Sequence, residues 1–192
     1  MNKKYQDFIL AFALILLAIA FRTVLHIGPN IEFVTIASLG AGYFLSSKKL
    51  AILVPIIIMG ISDAIIGNTS IFLFTWSAFL FAPVLGIVSK SSFMNNYLKS
   101  LPNLAKPMLV GLGGSTISVL VFFLWTNFGV VVTTTMYPDT ISGLFNSYVN
   151  ALPFLRNQLV GNMLFAPIVF TLVSLAKNLL SNLERKELFE IK

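Results

Sequence analysis

Apolar residues fill the chain in long runs broken by short polar clusters, and most runs approach the length a helix needs to cross a bilayer. Roughly 20 apolar residues cover the hydrocarbon core. Six runs qualify: Phe8–Leu25, residues 31–47 with their apolar part at Ile31–Leu45, Leu50–Gly67, Ile71–Val88, Met108–Val132 and Pro153–Leu180. The second is short by this measure and must extend into its flanks. The clusters His26-Ile27-Gly28-Pro29-Asn30, Ser46-Ser47-Lys48-Lys49 and Asn68-Thr69-Ser70 read as turns between spans.

Two further segments have helical periodicity without spanning length. In Ser92–Leu101, Phe93, Met94, Tyr97, Leu98 and Leu101 share a face beside Lys90 and Lys99, a pattern suited to the membrane interface. In residues 139–152, Ile141, Leu144, Phe145, Tyr148, Val149 and Leu152 form one apolar face, and Ser142, Asn146, Ser147 and Asn150 lie opposite. Asp139 is placed to cap this second helix and Pro153 to end it. It is expected to lie outside, over the ends of the bundle, as a unit able to close over a bound molecule.

Charge sets the orientation. An even number of spans puts both termini and the second and fourth connections on one side. That side holds Lys3, Lys4, Lys48, Lys49, Lys90, Lys99, Lys106, Lys177, Arg185, Lys186 and Lys192, which is 11 of the 13 basic residues. Lysine and arginine collect on the cytoplasmic side. The expected fold is therefore an all-α, polytopic membrane protein of the plasma membrane. It is a single-domain bundle of six transmembrane helices with cytoplasmic N and C termini. The net charge of +6 is then a mark of topology, and no nucleic acid is expected as a partner. Only 10% of the 192 residues are charged, against about 25% in soluble domains, which agrees with a chain facing lipid. Ala18-Ile19-Ala20 after Lys3 and Lys4 resembles a signal-peptidase site, but the apolar run is longer than a signal peptide needs and reads as a retained helix.

Candidate chemistry is sparse. The chain has no cysteine and one histidine, His26, so thiol chemistry is excluded and neither a zinc nor another transition-metal site is expected. No Gly-x-Ser-Gly occurs, and Asp63 is the single intramembrane aspartate, so serine and aspartyl proteolysis find no footing; no enzymatic activity and no cofactor are expected. Arg22, Glu32, Asp63 and Arg156 fall at outer helix ends, where a charge costs less than at the bilayer centre. With Asn30, Trp76, Trp125, Asn127, Tyr137 and Asn157 at similar depth, they are candidates to line an outward-facing pocket. Snorkelling arginines and an aromatic belt are the plainer reading of the same residues. Asp63, inside an apolar stretch, needs a partner, and Arg22 or Arg156 would serve. Ala37 to Ala41 and Gly111 to Ser115 are small-residue patterns that favour close helix packing.

Several segments resemble known ones. Pro29-Asn30-Ile31-Glu32-Phe33-Val34-Thr35-Ile36-Ala37 and Ser62-Asp63-Ala64-Ile65-Ile66-Gly67-Asn68-Thr69 are similar to segments of the substrate-binding S components of energy-coupling-factor (ECF) transporters. Thr126-Asn127-Phe128-Gly129-Val130, Tyr137-Pro138-Asp139-Thr140 and Ala151-Leu152-Pro153-Phe154-Leu155-Arg156-Asn157 look like those of an uncharacterised membrane family in that superfamily. The resemblance covers most of residues 20–165. It implies a six-helix bundle with a pocket on the outer side, capped by the loops between helices 1 and 2, 3 and 4, and 5 and 6. It also implies a small vitamin-like substrate, and as partners a transmembrane coupling subunit and two cytoplasmic ATPases. The first helix lacks the Ala-x-x-x-Ala that S components often use for docking; the nearest such pattern, Ala37 to Ala41, is in the second. A non-transport membrane scaffold and a stand-alone small-molecule transporter are the alternatives.

Overall fold

The structure, a computed structural model, describes residues 2–25, 28, 30–31 and 33–190, the last six by their backbone alone. His26 and Glu32 lie outside the described residues. Among the described residues the regular structure is entirely helical: α1 (Lys3–Thr23), α2 (Val34–Phe44), α3 (Lys48–Ile66), α4 (Phe72–Val88), α5 (Ser92–Tyr97), α6 (Ala105–Thr133) and α7 (Ile141–Glu190). Four of them, α1, α3, α6 and α7, are long and apolar enough to cross a membrane, and α2 and α4 are shorter apolar helices. Large apolar side chains cover the outside: on α1 alone Phe8, Ile9, Phe12 and Leu16 are exposed. Apolar surface on that scale belongs against lipid, and the chain is membrane-embedded.

The run expected over 31–47 is observed as the 11 residues of α2, about 16 Å at 1.5 Å per residue. It is the centre of the molecule. Every residue from Val34 to Gly42 is buried, and α2 packs against α1, α3, α4, α6 and α7. Its apolar character therefore serves protein contacts instead of lipid. The closest approach is to α4. A Cβ on Gly42 would stand 2.2 Å from the Pro83 carbonyl oxygen, and one on Gly86 would stand 2.3 Å from that of Leu39. Only glycine on both sides lets the two backbones come this near.

The C-terminus of α2 leaves carbonyls that no helical N–H can meet. Two lysines from elsewhere in the chain fill the gap: Lys177 Nζ donates to the Phe44 carbonyl and Lys90 Nζ to that of Leu45, each at 2.7 Å. Asp7, only 4% exposed, accepts the Ser46 backbone N–H at 2.8 Å. Cations at a helix C-terminus also oppose its negative dipole end. At the same end Gln6 Nε2 donates to Glu184 Oε1 at 2.9 Å, so the start of α1 meets the far part of α7.

Two departures from the sequence expectation concern the amphipathic segments. The first, expected over Ser92–Leu101, keeps only the six residues of α5, capped by Ser91. The second, expected as a separate helix over 139–152 ended by Pro153, is instead the first part of α7, which runs unbroken through Pro153 and Pro167. Its cap is Thr140, whose Oγ1 accepts the Gly143 N–H at 3.1 Å, in place of Asp139. Proline removes one helical hydrogen bond, but in apolar surroundings an unravelled backbone would lose several. Helix α6 packs on both sides of Pro153: before it, Tyr148 donates to the Leu124 carbonyl at 3.1 Å and Phe123 packs on Tyr148, and beyond it Gly111 lies against Ala166 and Phe170. Nor does the apolar face pack on the bundle, and of the polar one only Ser147 is buried. Ile141, Phe145, Val149 and Leu152 point outward, while Gly143, Ser147 and Ala151 are buried.

Candidate functional site

Helix ends build the site. Arg22 lies in the last turn of α1 and Asp63 in the last turn of α3, which Gly67 closes with a positive φ of 86°. A carboxylate at a helix C-terminus is disfavoured by the dipole and needs donors. It has two: Arg22 Nη2 at 2.6 Å to Oδ1 and Trp76 Nε1 at 2.7 Å to Oδ2. The side chains of Arg22 and Asp63 are 18% and 7% exposed. Helices α1, α3 and α4 are thereby tied together at the end of the bundle opposite the lysine cluster.

Beside this triad lies a cavity of about 350 Å³, bounded by the ends of α1, α4 and α6 and by the first part of α7. Arg22 and Asn30 line one side, Ile71 precedes α4 and Thr75 lies in its first turn, and Phe122, Phe123, Thr126, Asn127 and Val130 belong to α6. From α7 come Ser147, Asn150, Ala151, Phe154, Leu155 and Gln158, and Met136 and Tyr137 close the α6–α7 turn. Polar groups in the wall hold one another. Thr75 and Thr126 donate to the Phe72 and Phe122 carbonyls. Ser147 donates to the Asn127 backbone carbonyl at 3.2 Å, and Asn127 Nδ2 to that of Phe123 at 2.8 Å. Asn150 Nδ2 donates to the Tyr137 hydroxyl at 3.1 Å. Apolar ring surface from Phe122, Phe123 and Phe154 beside these few polar groups is an arrangement suited to binding a small molecule.

Of the residues singled out from sequence, Arg22, Asn30, Asn127 and Tyr137 line the cavity. Asp63 and Trp76 stand behind Arg22 and fix it. Trp125 is elsewhere: 44% exposed, it donates to Ser77 Oγ at 2.9 Å and stacks on Phe128, on the apolar outer surface. That position suits the belt reading and not the pocket. Arg156 is exposed, and neither it nor Asn157 belongs to the lining. Glu32 is outside the described residues. Five polar residues of the lining are not among the sequence candidates: Thr75, Thr126, Ser147, Asn150 and Gln158. Gln158, 4% exposed inside an apolar span, carried the clearest signal, because a polar side chain at that depth usually faces a bundle interior or a wet cavity. Ser147 and Asn150 are expected from the sequence on the polar face of their segment, opposite the apolar one.

Among the described residues no three metal-ligating side chains converge. No curated protein and no solved structure matches the chain. A family profile matches residues 2–183, so the chain belongs to DUF6580, a family of unknown function.

Proposed function

We propose that this protein is a substrate-binding membrane subunit for the uptake of a small, vitamin-like organic molecule, similar in plan to the S components of ECF transporters. The cavity carries the reading. It sits at one end of the bundle, has apolar walls with a few convergent polar groups, and falls at the lower end of the roughly 300–1,000 Å³ usual for small-molecule sites. Polar groups that gather at one end favour a binding site over a through-going channel.

In this reading α2 and α4 complete six crossings of the cell membrane, and both termini are cytoplasmic. The proximity of Gln6 and Glu184 supports an even number of crossings, and the 11 basic residues support the orientation. The cavity then opens toward the outside. Energy would come from partners, a transmembrane coupling subunit and two ATPases. The test is to purify the protein in mild detergent and identify the small molecules released from it by mass spectrometry. Wild type should carry a compound that the cavity-filling variant Ala151→Phe lacks. Identical released profiles would defeat the proposal.

A further inference from the structure

The connection between α4 and α6 carries charge and apolar surface that the bundle does not use. Residues 64–138 contain no acidic side chain, and their basic residues, Lys90, Lys99 and Lys106, all fall in this connection or at its borders. Lys90 is committed to the Leu45 carbonyl. The ammonium groups of Lys99 and Lys106 have no hydrogen bond or ion pair among the described residues. Lys48, exposed at the start of α3, stands near enough to Lys90 to repel it, so the neighbouring connection adds positive charge to the same end of the bundle.

Helix α5 lies in the middle of this charge. Phe93 and Tyr97, one turn apart, bring their rings to 4.9 Å and are 67% and 72% exposed. Leu98 packs against the core and keeps the connection close to the end of the bundle. Because α6 is a long apolar helix that begins just beyond, the two rings stand where hydrocarbon gives way to water. Aromatic rings beside lysines suit that boundary, since the rings enter between headgroups while the ammoniums meet their charge. Six residues of helix offer far less than the roughly 800 Å² per partner of a stable protein interface, whereas a headgroup needs only a few donors.

We infer that the α4–α6 connection is a docking surface for anionic phospholipid headgroups, with Phe93 and Tyr97 inserted at the membrane boundary and Lys99 and Lys106 on the headgroup charge. This rests on the chain being membrane-embedded and is independent of the substrate-binding reading.

The test reconstitutes the full chain in nanodiscs of equal parts phosphatidylcholine and phosphatidylglycerol. The protein is released into mild detergent, and the lipids that stay bound are counted by native mass spectrometry. Wild type should retain phosphatidylglycerol at least about fivefold over phosphatidylcholine, the discrimination one lysine gives at an anionic surface. Lys99→Gln/Lys106→Gln should retain the two lipids in closer to equal amounts. Equal retention by wild type would overturn the inference, as would a double variant with the wild-type preference. Position supplies a second readout, because the chain has no native cysteine. An environment-sensitive fluorophore on Tyr97→Cys should be quenched by acrylamide less in the mixed nanodiscs than in phosphatidylcholine alone. Equal quenching in both would show that anionic lipid does not draw α5 to the surface and would likewise overturn it.

Discussion

Arg22 and Asp63, 41 residues apart, meet at 2.6 Å where the last turns of α1 and α3 come together, and Trp76 secures the second carboxylate oxygen. Breaking a buried pair by removing one partner costs about 3–5 kcal/mol. The partial exposure of the guanidinium places Arg22→Met and Asp63→Leu below that range. Both should lower the unfolding temperature in detergent, and the double variant should lose less than the sum. Arg156 is outside the pair, so Asp63→Leu and Arg156→Met should be additive. Coupling between Asp63 and Arg156 in place of Arg22 would contradict the geometry.

The orientation in the proposed function is directly accessible, because the chain has no native cysteine. Asn68→Cys should react with a membrane-impermeant maleimide on intact cells. Lys48→Cys and Lys99→Cys should react only after permeabilisation. The reverse pattern would invert the protein in the membrane.

Lys90, beyond the end of α4, gives a pH dependence. Burial pushes its ammonium below the ordinary 10.5, Lys177 adds to this by repulsion, and Asp7 opposes it. The folded state therefore releases this proton more readily than the unfolded state. Between the lowered value and 10.5 the unfolded chain holds more protons, so stability rises with pH across that window. Lys90→Met should lack the rise. Comparing the two proteins over the window isolates Lys90 from other titrating groups, and parallel curves would show that its environment is not the one described.

The turn into α7 is equally open to test. A Cβ on Gly143 would lie 1.9 Å from the Pro138 carbonyl oxygen, whereas one on Gly113 meets nothing within 4 Å. Gly143→Ala must displace the backbone of the turn beside Tyr137, and should destabilise the protein and weaken retention of any cavity-bound compound. Gly113→Ala should be neutral or stabilising by up to about 1 kcal/mol, the helix-propensity difference. Thermal unfolding of the two variants provides the comparison.

Helical content and the small-residue contacts were legible in the sequence because both follow from local pattern. What lay hidden was which apolar face meets protein and which meets lipid. Apolar periodicity looks the same in both cases, so Ile141, Phe145 and Val149 suggested a face packed on the bundle although they point away from it. The informative residues were the small and polar ones: Gly143, Ser147 and Ala151 recur every four positions and mark the buried side. Pro153 misled for a related reason. As a helix terminator it is dependable in water, where exposed carbonyls find hydrogen bonds that lipid does not offer. Asp7 gives no signal in the sequence because it sits near Lys3 and Lys4 at the start of the chain, where a charge needs no explanation; its burial is visible only once α2 is seen to end beside it. At the site, Arg22 with Asp63 was readable as a charge in need of a partner, while Trp125 shared their depth but not their side of the helix bundle.

The shortness of α2 also bears on how the chain reaches its final state. Eleven residues reach about half of the roughly 30 Å hydrocarbon core, too few for the segment to insert as an independent span. Its last carbonyls depend on Lys90 and Lys177, which are synthesised 45 and 133 residues later. The enclosure of α2 therefore stays incomplete until α7, which packs against it and carries Lys177, has been synthesised. A chain truncated before Lys177 leaves its innermost helix without the cation that meets the Phe44 carbonyl.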